Sequence, residues 1–197
     1  LIERFLYQKY GPGQLWEEVA RQVTDRGAEI HCGQRVVGIE ADGREITGLT
    51  VQDQNSGECS TIAADYVMST MPIRELVSSL GHQVPAKVQD VASGLQYRDF
   101  LTVGLLLKQM KTPDGSVPDN WIYIQEPDVR VGRLQIFNNW SEYMVAQPDT
   151  VWVGCEYFCN EGDDIDSMTD DQLKELAAEE LDRIGLIEQS DVLESVV

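Results

Sequence analysis

The chain has 197 residues, of which 42% are hydrophobic and 25% charged, a composition that suits one large or two small globular domains with a buried core. It carries 34 acidic and 15 basic residues, and its formal net charge of −19 at pH 7 argues against binding to nucleic acid or anionic lipid. No apolar run approaches the roughly 20 residues of a membrane-spanning helix, so the sequence predicts no membrane span.

The first predicted helix follows the turn Gly11-Pro12-Gly13. Apolar residues recur after that turn at helical spacing: Leu15, Trp16, Val19, Ala20 and Val23. Gly27 is expected to end the helix in a left-handed conformation. The turn does not match the dinucleotide-binding fingerprint, because Trp16 stands where the third glycine of that fingerprint is required. We therefore interpret the turn as a helix start.

A small antiparallel meander and a buried strand are predicted next. Alternating apolar residues and turn signals predict short strands at residues 28–31, 35–41, 45–53 and 59–62. The apolar stretch 63–70 is typical of a buried strand. It leads into a helix predicted over residues 73–80, with Pro72 at or near the first helical position.

The second half of the chain predicts a larger sheet and one long helix. Residues 81–85 are interpreted as a linker, and further strands are predicted at residues 100–108, 121–125, 133–138 and 151–158. The last helix is predicted over residues 170–184, with Thr169 and Gln172 as a capping pair and Gly185 as its stop. These patterns together predict an α+β fold, in which a mixed, antiparallel-rich sheet is flanked by helices.

Four cysteines, at positions 32, 59, 155 and 159, form neither paired CxxC motifs nor a dense disulfide framework. We expect reduced thiols in a cytoplasmic protein. The acidic stretch 161–182 lacks the ligand spacing of a calcium loop, and it is interpreted as a solvated face. The sequence therefore predicts no metal site.

Three short motifs in the first part of the chain resemble the middle portion of FAD-dependent amine oxidoreductases. This superfamily includes monoamine oxidases, protoporphyrinogen oxidases, phytoene desaturases and UDP-galactopyranose mutases. The motifs stand in the family's order: Gly11-x-Gly13-Gln14-Leu15, Gln34-Arg35-Val36-x-x-Ile39 and Ala64-Asp65-x-Val67-x-x-Thr70-x-Pro72. Residues 95–103, 119–124 and 156–158 are similar to a bacterial branch that is protoporphyrinogen oxidase-like or mutase-like.

The resemblance implies two domains and an FAD cofactor. Residues 1–80 would belong to the FAD-binding domain, contributing a helix, a β-meander and a return strand, and residues 81–197 to the substrate-binding domain. The family's glycine-rich fingerprint and its Gly-Asp motif near the flavin ribityl chain have no counterpart in the sequence. We therefore expect a central segment of a longer enzyme, inactive and without tight FAD binding when isolated.

The resemblance also implies cofactor-binding residues. The backbone of Val36 would contact the FAD adenine, although the same residue also suits the core of a strand. The stretch Ser69, Thr70, Met71 and Pro72 would lie beside the adenosine and the diphosphate. Thr70 could alternatively cap the helix that follows.

Candidate substrate-binding residues lie on the predicted strands of the second half. Trp121, Tyr123 and Tyr157 could line an aromatic substrate site, or they could be core residues. Arg98 could hold a carboxylate or diphosphate, or pair with a nearby acid such as Asp99. Glu156 is either a buried carboxylate or part of the outward face of its strand. Because FAD itself accepts the hydride, the sequence identifies no catalytic side chain.

The sequence thus predicts the central part of an FAD-dependent oxidoreductase that transfers hydride from a small-molecule substrate to flavin in the intact enzyme. Two alternatives remain open. One is a UDP-galactopyranose mutase-like flavoenzyme, in which arginines such as Arg98, Arg130 or Arg133 would surround the diphosphate of a nucleotide sugar. The other is a binding or interaction domain without catalysis.

Overall fold

The computed structural model describes residues 6–197, which form two compact units. One unit joins residues 6–22 to residues 97–197, and the other comprises residues 23–96. Each unit contains helices and one antiparallel sheet, so the predicted α+β fold is confirmed. Within residues 6–197, no helix is both long enough and apolar enough to span a bilayer.

Thirteen helices and strands are described along these residues. In chain order they are α1 (Gly13–Asp25), β1 (Gln34–Asp42), β2 (Glu45–Asp53), β3 (Cys59–Ala63), α2 (Ile73–Leu80), α3 (Ala86–Ser93), β4 (Asp99–Leu107), β5 (Trp121–Tyr123), β6 (Arg133–Ile136), α4 (Phe137–Trp140), β7 (Val151–Cys159), α5 (Asp170–Arg183) and β8 (Val192–Val196). Short 3-10 turns lie at Gly81–Gln83, Glu142–Met144 and Gln189–Asp191.

The unit of residues 23–96 is built on the predicted meander. Its sheet has the order β1-β2-β3, and Asp42 pairs with Glu45 across a turn in which Gly43 has a φ of 63°. Glycine suits that turn because a Cβ disfavours positive φ. Helix α2 occupies the predicted residues 73–80, whereas α3 was not predicted from the sequence.

Two predicted strands of this unit are not formed. Residues 28–31 have no regular structure, and the chain after β3 is irregular from residue 64 to residue 72. Tyr66 and Met68, apolar members of the second stretch, are 93% and 98% exposed. A buried strand needs neighbouring strands to bond its backbone, and none of the described strands pairs with this stretch.

The larger unit contains a five-stranded sheet with the order β5-β6-β7-β4-β8, in which all neighbouring strands are antiparallel. Its buried face packs against α5. The central strands supply Val103, Leu105, Leu134, Val153 and Cys155 to this core, and α5 supplies Leu173, Ala177 and Leu181. Helix α5 has the predicted capping box of Thr169 and Gln172, and Gly185 follows it with a φ of 77°.

This sheet departs from its predicted strands at three places, of which the smallest is that β5 ends at Tyr123 rather than at residue 125. The chain turns into the short helix α4 after Ile136, where the sequence predicted a strand to residue 138. The side chain of Asn138 accounts for the change, because it donates to the Thr150 carbonyl (2.8 Å) and accepts from the Trp152 amide (2.9 Å). Strand β8, at the edge of the sheet, was not predicted.

Candidate substrate-binding face and cofactor-binding segment

The face of the five-stranded sheet opposite α5, here called the outer face, carries polar and aromatic side chains. Tyr123 pairs with Arg133, and Arg133 pairs with Glu156 on the next strand. On the same two strands, Trp121 pairs with Gln135, two residues away from the pair of Tyr123 and Arg133. Because directly paired residues of adjacent strands point to the same side of a sheet, these five side chains share the outer face.

Glu156 is the carboxylate to which the polar side chains of the outer face are bonded. Its side chain is 0% exposed, and it accepts hydrogen bonds from Arg133 Nε and Gln135 Nε2. Glu156 is thus a buried carboxylate, and it also lies on the outward face of its strand, so both descriptions that the sequence left open apply to it. The bond to Glu156 raises the pKa of Arg133, so the guanidinium remains protonated. A buried carboxylate needs such a partner because its desolvation is otherwise very unfavourable.

The guanidinium of Arg133 also contacts two aromatic side chains. Its Cζ lies 5.9 Å from the ring centroid of Trp121 and 5.7 Å from that of Tyr123, and its Nη1 donates to the Tyr123 hydroxyl at 3.5 Å. The Arg133 side chain is 26% exposed, whereas both aromatic side chains are largely exposed. The arrangement therefore presents two aromatic surfaces with a partly accessible guanidinium between them.

Aromatic contacts extend the outer face toward the beginning of the chain. Trp121 lies 5.2 Å from Trp140, and Trp140 lies 5.0 Å from Tyr7, measured between ring centroids. Ser141 Oγ donates to the Lys9 carbonyl at 2.6 Å. Residues 7–9 are thus attached to the segment that follows β6, a contact that the sequence analysis missed.

A glycine allows one ring to lie directly on the sheet. A Cβ on Gly154 would come within 3.0 Å of two ring carbons of Phe137, which is closer than ordinary carbon contacts. Phe137 therefore covers the outer face beside Gln135, because Gly154 pairs with that residue.

Arg98 lies at a second aromatic patch, just before β4. Its Nη2 donates to the Phe158 carbonyl at 3.2 Å, and its Cζ is 5.9 Å from the Phe158 ring. Phe158 in turn lies 5.6 Å from Phe100, its pairing partner on β4. The contacts described for Arg98 involve a carbonyl and a ring rather than the expected acid. Arg98 remains exposed to solvent.

Tyr157 does not share the outer face with the other candidates. It follows Glu156 on β7 and so points to the opposite side of the sheet, where it is 1% exposed. Its hydroxyl donates to Glu180 at 3.1 Å, and burial raises its pKa. This is a correction to the sequence-based grouping of Tyr157 with Trp121 and Tyr123, and the reason is strand alternation.

Glu180 is a buried carboxylate that the sequence analysis missed. It is 1% exposed and accepts from the backbone amides of Arg130 (2.7 Å) and Val131 (3.0 Å). It shares the buried side of α5 with Ala177. The sequence did contain a signal for it: Glu180 comes three residues after Ala177, and this spacing places both side chains on the same side of a helix.

The predicted cofactor-binding residues lie in the unit of residues 23–96. Val36 is half-buried on β1, beside an irregularity in its pairing with β2. Ser69 and Thr70 are exposed and Met71 is half-buried. Ser69 Oγ accepts from the Met71 amide at 3.4 Å. The side chains of Ser69 and Thr70 are therefore open to solvent.

The start of α2 lies close to the start of β1. Arg35 Nη2 and Glu75 Oε2 form an ion pair of 3.2 Å, which joins the residue before Val36 to the first turn of α2. Pro72 is the N-cap of α2, and no side chain caps this end. The alternative role of Thr70 as the helix cap is therefore corrected.

Comparison with known proteins identifies the family. The family described as flavin containing amine oxidoreductase matches residues 3–196. The chain belongs to this family. The resemblance found in the short motifs is thus confirmed over nearly the whole chain. No match was found among curated protein sequences.

Solved structures similar to this flavin-containing amine oxidoreductase family member support the fold. A reduced UDP-galactopyranose mutase matches 94% of the chain with a TM-score of 0.73 and 19% identity. A candidate protoporphyrinogen oxidase from Exiguobacterium sp. 255-15 matches 100% with a TM-score of 0.68 and 17% identity. An oxidoreductase from Methanosarcina mazei matches 94% with a TM-score of 0.64 and 15% identity. The chain spans 37%, 40% and 42% of these three structures, respectively.

Proposed function

We propose that this chain is the central part of an FAD-dependent oxidoreductase, which oxidises a small-molecule substrate by hydride transfer to flavin. The observation that carries the proposal is the family match over residues 3–196. The outer face supports it, because this face combines exposed aromatic surfaces with a guanidinium between them. Such a surface binds and orients an organic substrate while the cofactor supplies the chemistry.

The cofactor in this proposal is FAD, which accepts the hydride when bound. Val36, Ser69, Thr70, Met71 and Pro72 would contact its adenosine and diphosphate portion. The start of α2 fits an anionic group, because no side chain caps it and helix N-termini favour negative charge. The exposed backbone from residue 69 to residue 71 is accessible to such a ligand.

The substrate-binding residues in this proposal are Arg98, Trp121 and Tyr123, with Arg133 as an addition from the structure. The two aromatic rings would stack against the substrate, and Arg133 would donate a hydrogen bond to it. Tyr157 would act indirectly, by fixing strand β7 through its bond to Glu180. No side chain of the outer face is required to take a proton in this scheme, since Glu156 is held by Arg133 and Gln135.

The mutase-like alternative is less well supported by the charges. A diphosphate needs several uncompensated cations, but Arg133 pairs with Glu156 and Arg130 pairs with Asp164. Arg133 is thereby largely neutralised as an anion-binding group, and Arg130 is neutralised to a lesser extent because its pair is exposed to solvent. Arg98 alone of the three candidate arginines has no ion pair described within residues 6–197. We therefore favour a substrate without a diphosphate.

The domain assignment remains part of the proposal. Residues 1–80 would contribute to the FAD-binding domain and residues 81–197 to the substrate-binding domain. The exposed apolar stretch from residue 64 to residue 70 would become the return strand once the rest of the FAD-binding sheet is present. We further propose that the isolated chain is inactive and does not retain FAD. A bacterial, cytoplasmic origin is also proposed, and the four unpaired cysteines are consistent with a reducing compartment.

The visible absorption spectrum of the purified full-length protein tests this function. We expect flavin bands that are bleached anaerobically by an oxidisable substrate, with amines and protoporphyrinogen IX as the first probes. A protein without flavin would support the non-catalytic alternative. Tight binding of UDP together with turnover of UDP-galactopyranose would instead support the mutase.

Variants of the outer face test the substrate site separately. Trp121→Ala and Tyr123→Ala should each lower kcat/KM by about tenfold or more, because a lost aromatic contact weakens binding. Trp16→Ala is the matched control, since Trp16 is an exposed tryptophan of α1 outside the outer face. Equal effects of all three variants would contradict the assignment of the site.

A further inference from the structure

We propose that Glu180 is a positioning residue for the outer face: its buried carboxylate holds the connection between β5 and β6 and thereby places Arg133 between Trp121 and Tyr123. Glu180 itself lies on the other side of the sheet, in α5, so it acts through the backbone rather than by touching a substrate. The proposal rests on the proposed function only in assigning substrate binding to the outer face.

The carboxylate of Glu180 binds two consecutive backbone amides of the connection between β5 and β6. It is 1% exposed, and one oxygen accepts from the Arg130 amide at 2.7 Å. The other oxygen accepts from the Val131 amide at 3.0 Å and from the Tyr157 hydroxyl at 3.1 Å. Hydrogen bonds to an ionised acceptor are about twice as strong as neutral ones, and their loss in a buried site is costly.

The two amides held by Glu180 lie three and two residues before Arg133. The residue between them and Arg133 is Gly132, whose amide donates to the Glu156 carbonyl (2.9 Å) and whose carbonyl accepts from the Ile124 amide (3.1 Å). The backbone of residues 130–132 is therefore bonded in succession to the Glu180 side chain of α5, to β7 and to the residue that follows β5. Little freedom remains for a shift of this segment that does not also move Arg133.

Neighbouring contacts hold the same connection at two more points. Arg183 of α5 donates through Nη1 to the Asp128 carbonyl at 3.1 Å. The side chain of Arg130 forms an ion pair with Asp164. Both of these contacts are exposed to solvent, so they contribute less than a buried one. Glu180 is the buried member of this set.

The test replaces Glu180 with glutamine in the full-length protein. Glutamine keeps the volume, but its NH₂ group must face a backbone N–H or the Tyr157 hydroxyl, so at least one donor loses its acceptor. Two readouts need no substrate: hydrogen exchange at residues 130 and 131, and the ¹⁹F resonance of fluorotryptophan at Trp121, assigned with Trp121→Phe. Glu179→Gln is the matched control, because Glu179 is the adjacent, exposed glutamate of α5.

We expect Glu180→Gln to accelerate exchange at residue 130, residue 131 or both by about 10- to 100-fold and to shift the Trp121 resonance. Glu179→Gln should change neither. Leu181→Ala removes a fully buried side chain of the same helix and should lower stability without shifting the Trp121 resonance. An equal shift in Leu181→Ala would reduce Glu180 to a structural residue and overturn the proposal, as would an unchanged resonance in Glu180→Gln.

A double variant tests whether Glu180 acts through Arg133. In the Arg133→Met background, Glu180→Gln should produce no further shift of the Trp121 resonance, and an additive shift would contradict the proposal. If Glu180→Gln does not fold, Glu180→Asp retains the charge but withdraws the carboxylate by one methylene, and it should release the same two amides. Because neither readout uses flavin or substrate, failure of this proposal is distinguishable from failure of the proposed function.

Discussion

Replacing Arg133 with methionine is expected to destabilise the larger unit through the carboxylate that it leaves behind. Methionine retains most of the aliphatic length of arginine but donates no hydrogen bond. Glu156, which is 0% exposed, would then keep Gln135 as its remaining described side-chain donor. The expected loss of stability therefore comes mainly from the buried, unpaired charge of Glu156 rather than from lost packing contacts.

The magnitude follows from the burial of the two partners. Removing one member of a buried ion pair costs about 3–5 kcal/mol. The lower end applies here, because Arg133 is itself 26% exposed and Gln135 still donates to Glu156. We expect a decrease of about 3 kcal/mol in the free energy of unfolding. With a urea m-value of about 2 kcal/mol per M, the midpoint should fall by about 1.5 M.

Urea unfolding followed by tryptophan fluorescence measures this change. All four tryptophans of the chain belong to the unit formed by residues 6–22 and 97–197, so the signal reports on the unit that contains Arg133. The matched control is Arg98→Met, because Arg98 is exposed and should lose about 0.5 kcal/mol or less.

The double variant Arg133→Met with Glu156→Met separates lost charge pairing from lost contacts. Because buried ion pairs are often replaceable by apolar residues of similar volume, the double variant should recover most of the stability. Two results would refute the reasoning: a loss for Arg133→Met no larger than for Arg98→Met, or a double variant less stable than Arg133→Met alone.

Three further predictions concern packing, capping and thiol reactivity. Gly154→Ala should cost about 1–3 kcal/mol in urea unfolding, because the new Cβ would lie 3.0 Å from the Phe137 ring. Thr169→Ala should cost about 1 kcal/mol in the same assay, since the Thr169 side chain accepts the first-turn amide of α5 in a capping box. Cys155 and Cys159 should react with a thiol reagent far more slowly than the two exposed cysteines, because they are buried and burial raises the pKa of both thiols.

Each of these predictions has its own check. Gly13→Ala is the control for Gly154→Ala, since nothing lies within 4 Å of the added Cβ, and equal losses would contradict the packing argument. Thr169→Ser keeps the hydroxyl and should retain the stability. Cys155 and Cys159 should still label slowly at mildly alkaline pH, because a raised pKa keeps a thiol protonated. Four equal labelling rates would contradict the burial.

Local interactions account for the elements that the sequence predicted best. The capping box at the start of α5 and the glycine after its end each depend only on residues close by in the sequence. The local pattern therefore sets both ends of the helix. The meander of β1 to β3 is likewise formed by hairpins between neighbouring segments. The family's short motifs are also local features of the sequence, and the family membership that they indicated was confirmed by the match over residues 3–196.

Alternation along β7 was visible in the sequence, but the identity of its buried face was not. Each face of the strand carries aromatic or other large side chains, so periodicity established that Glu156 and Tyr157 oppose each other without deciding which faces α5. Packing of α5 decided it: Tyr157 points to Glu180 and Glu156 to Arg133. These partners lie 23 residues from the residues they contact, a separation beyond the reach of local patterns.

The stretch from residue 64 to residue 70 shows the opposite case, in which a clear pattern is not sufficient. Its composition alone predicted a buried strand, and the sequence by itself determined that apolar character. Strand formation also requires backbone partners and a covering layer, which the described strands do not supply to this stretch. Tertiary structure therefore decided its conformation, because the hydrogen bonds of a strand are made between segments rather than within one.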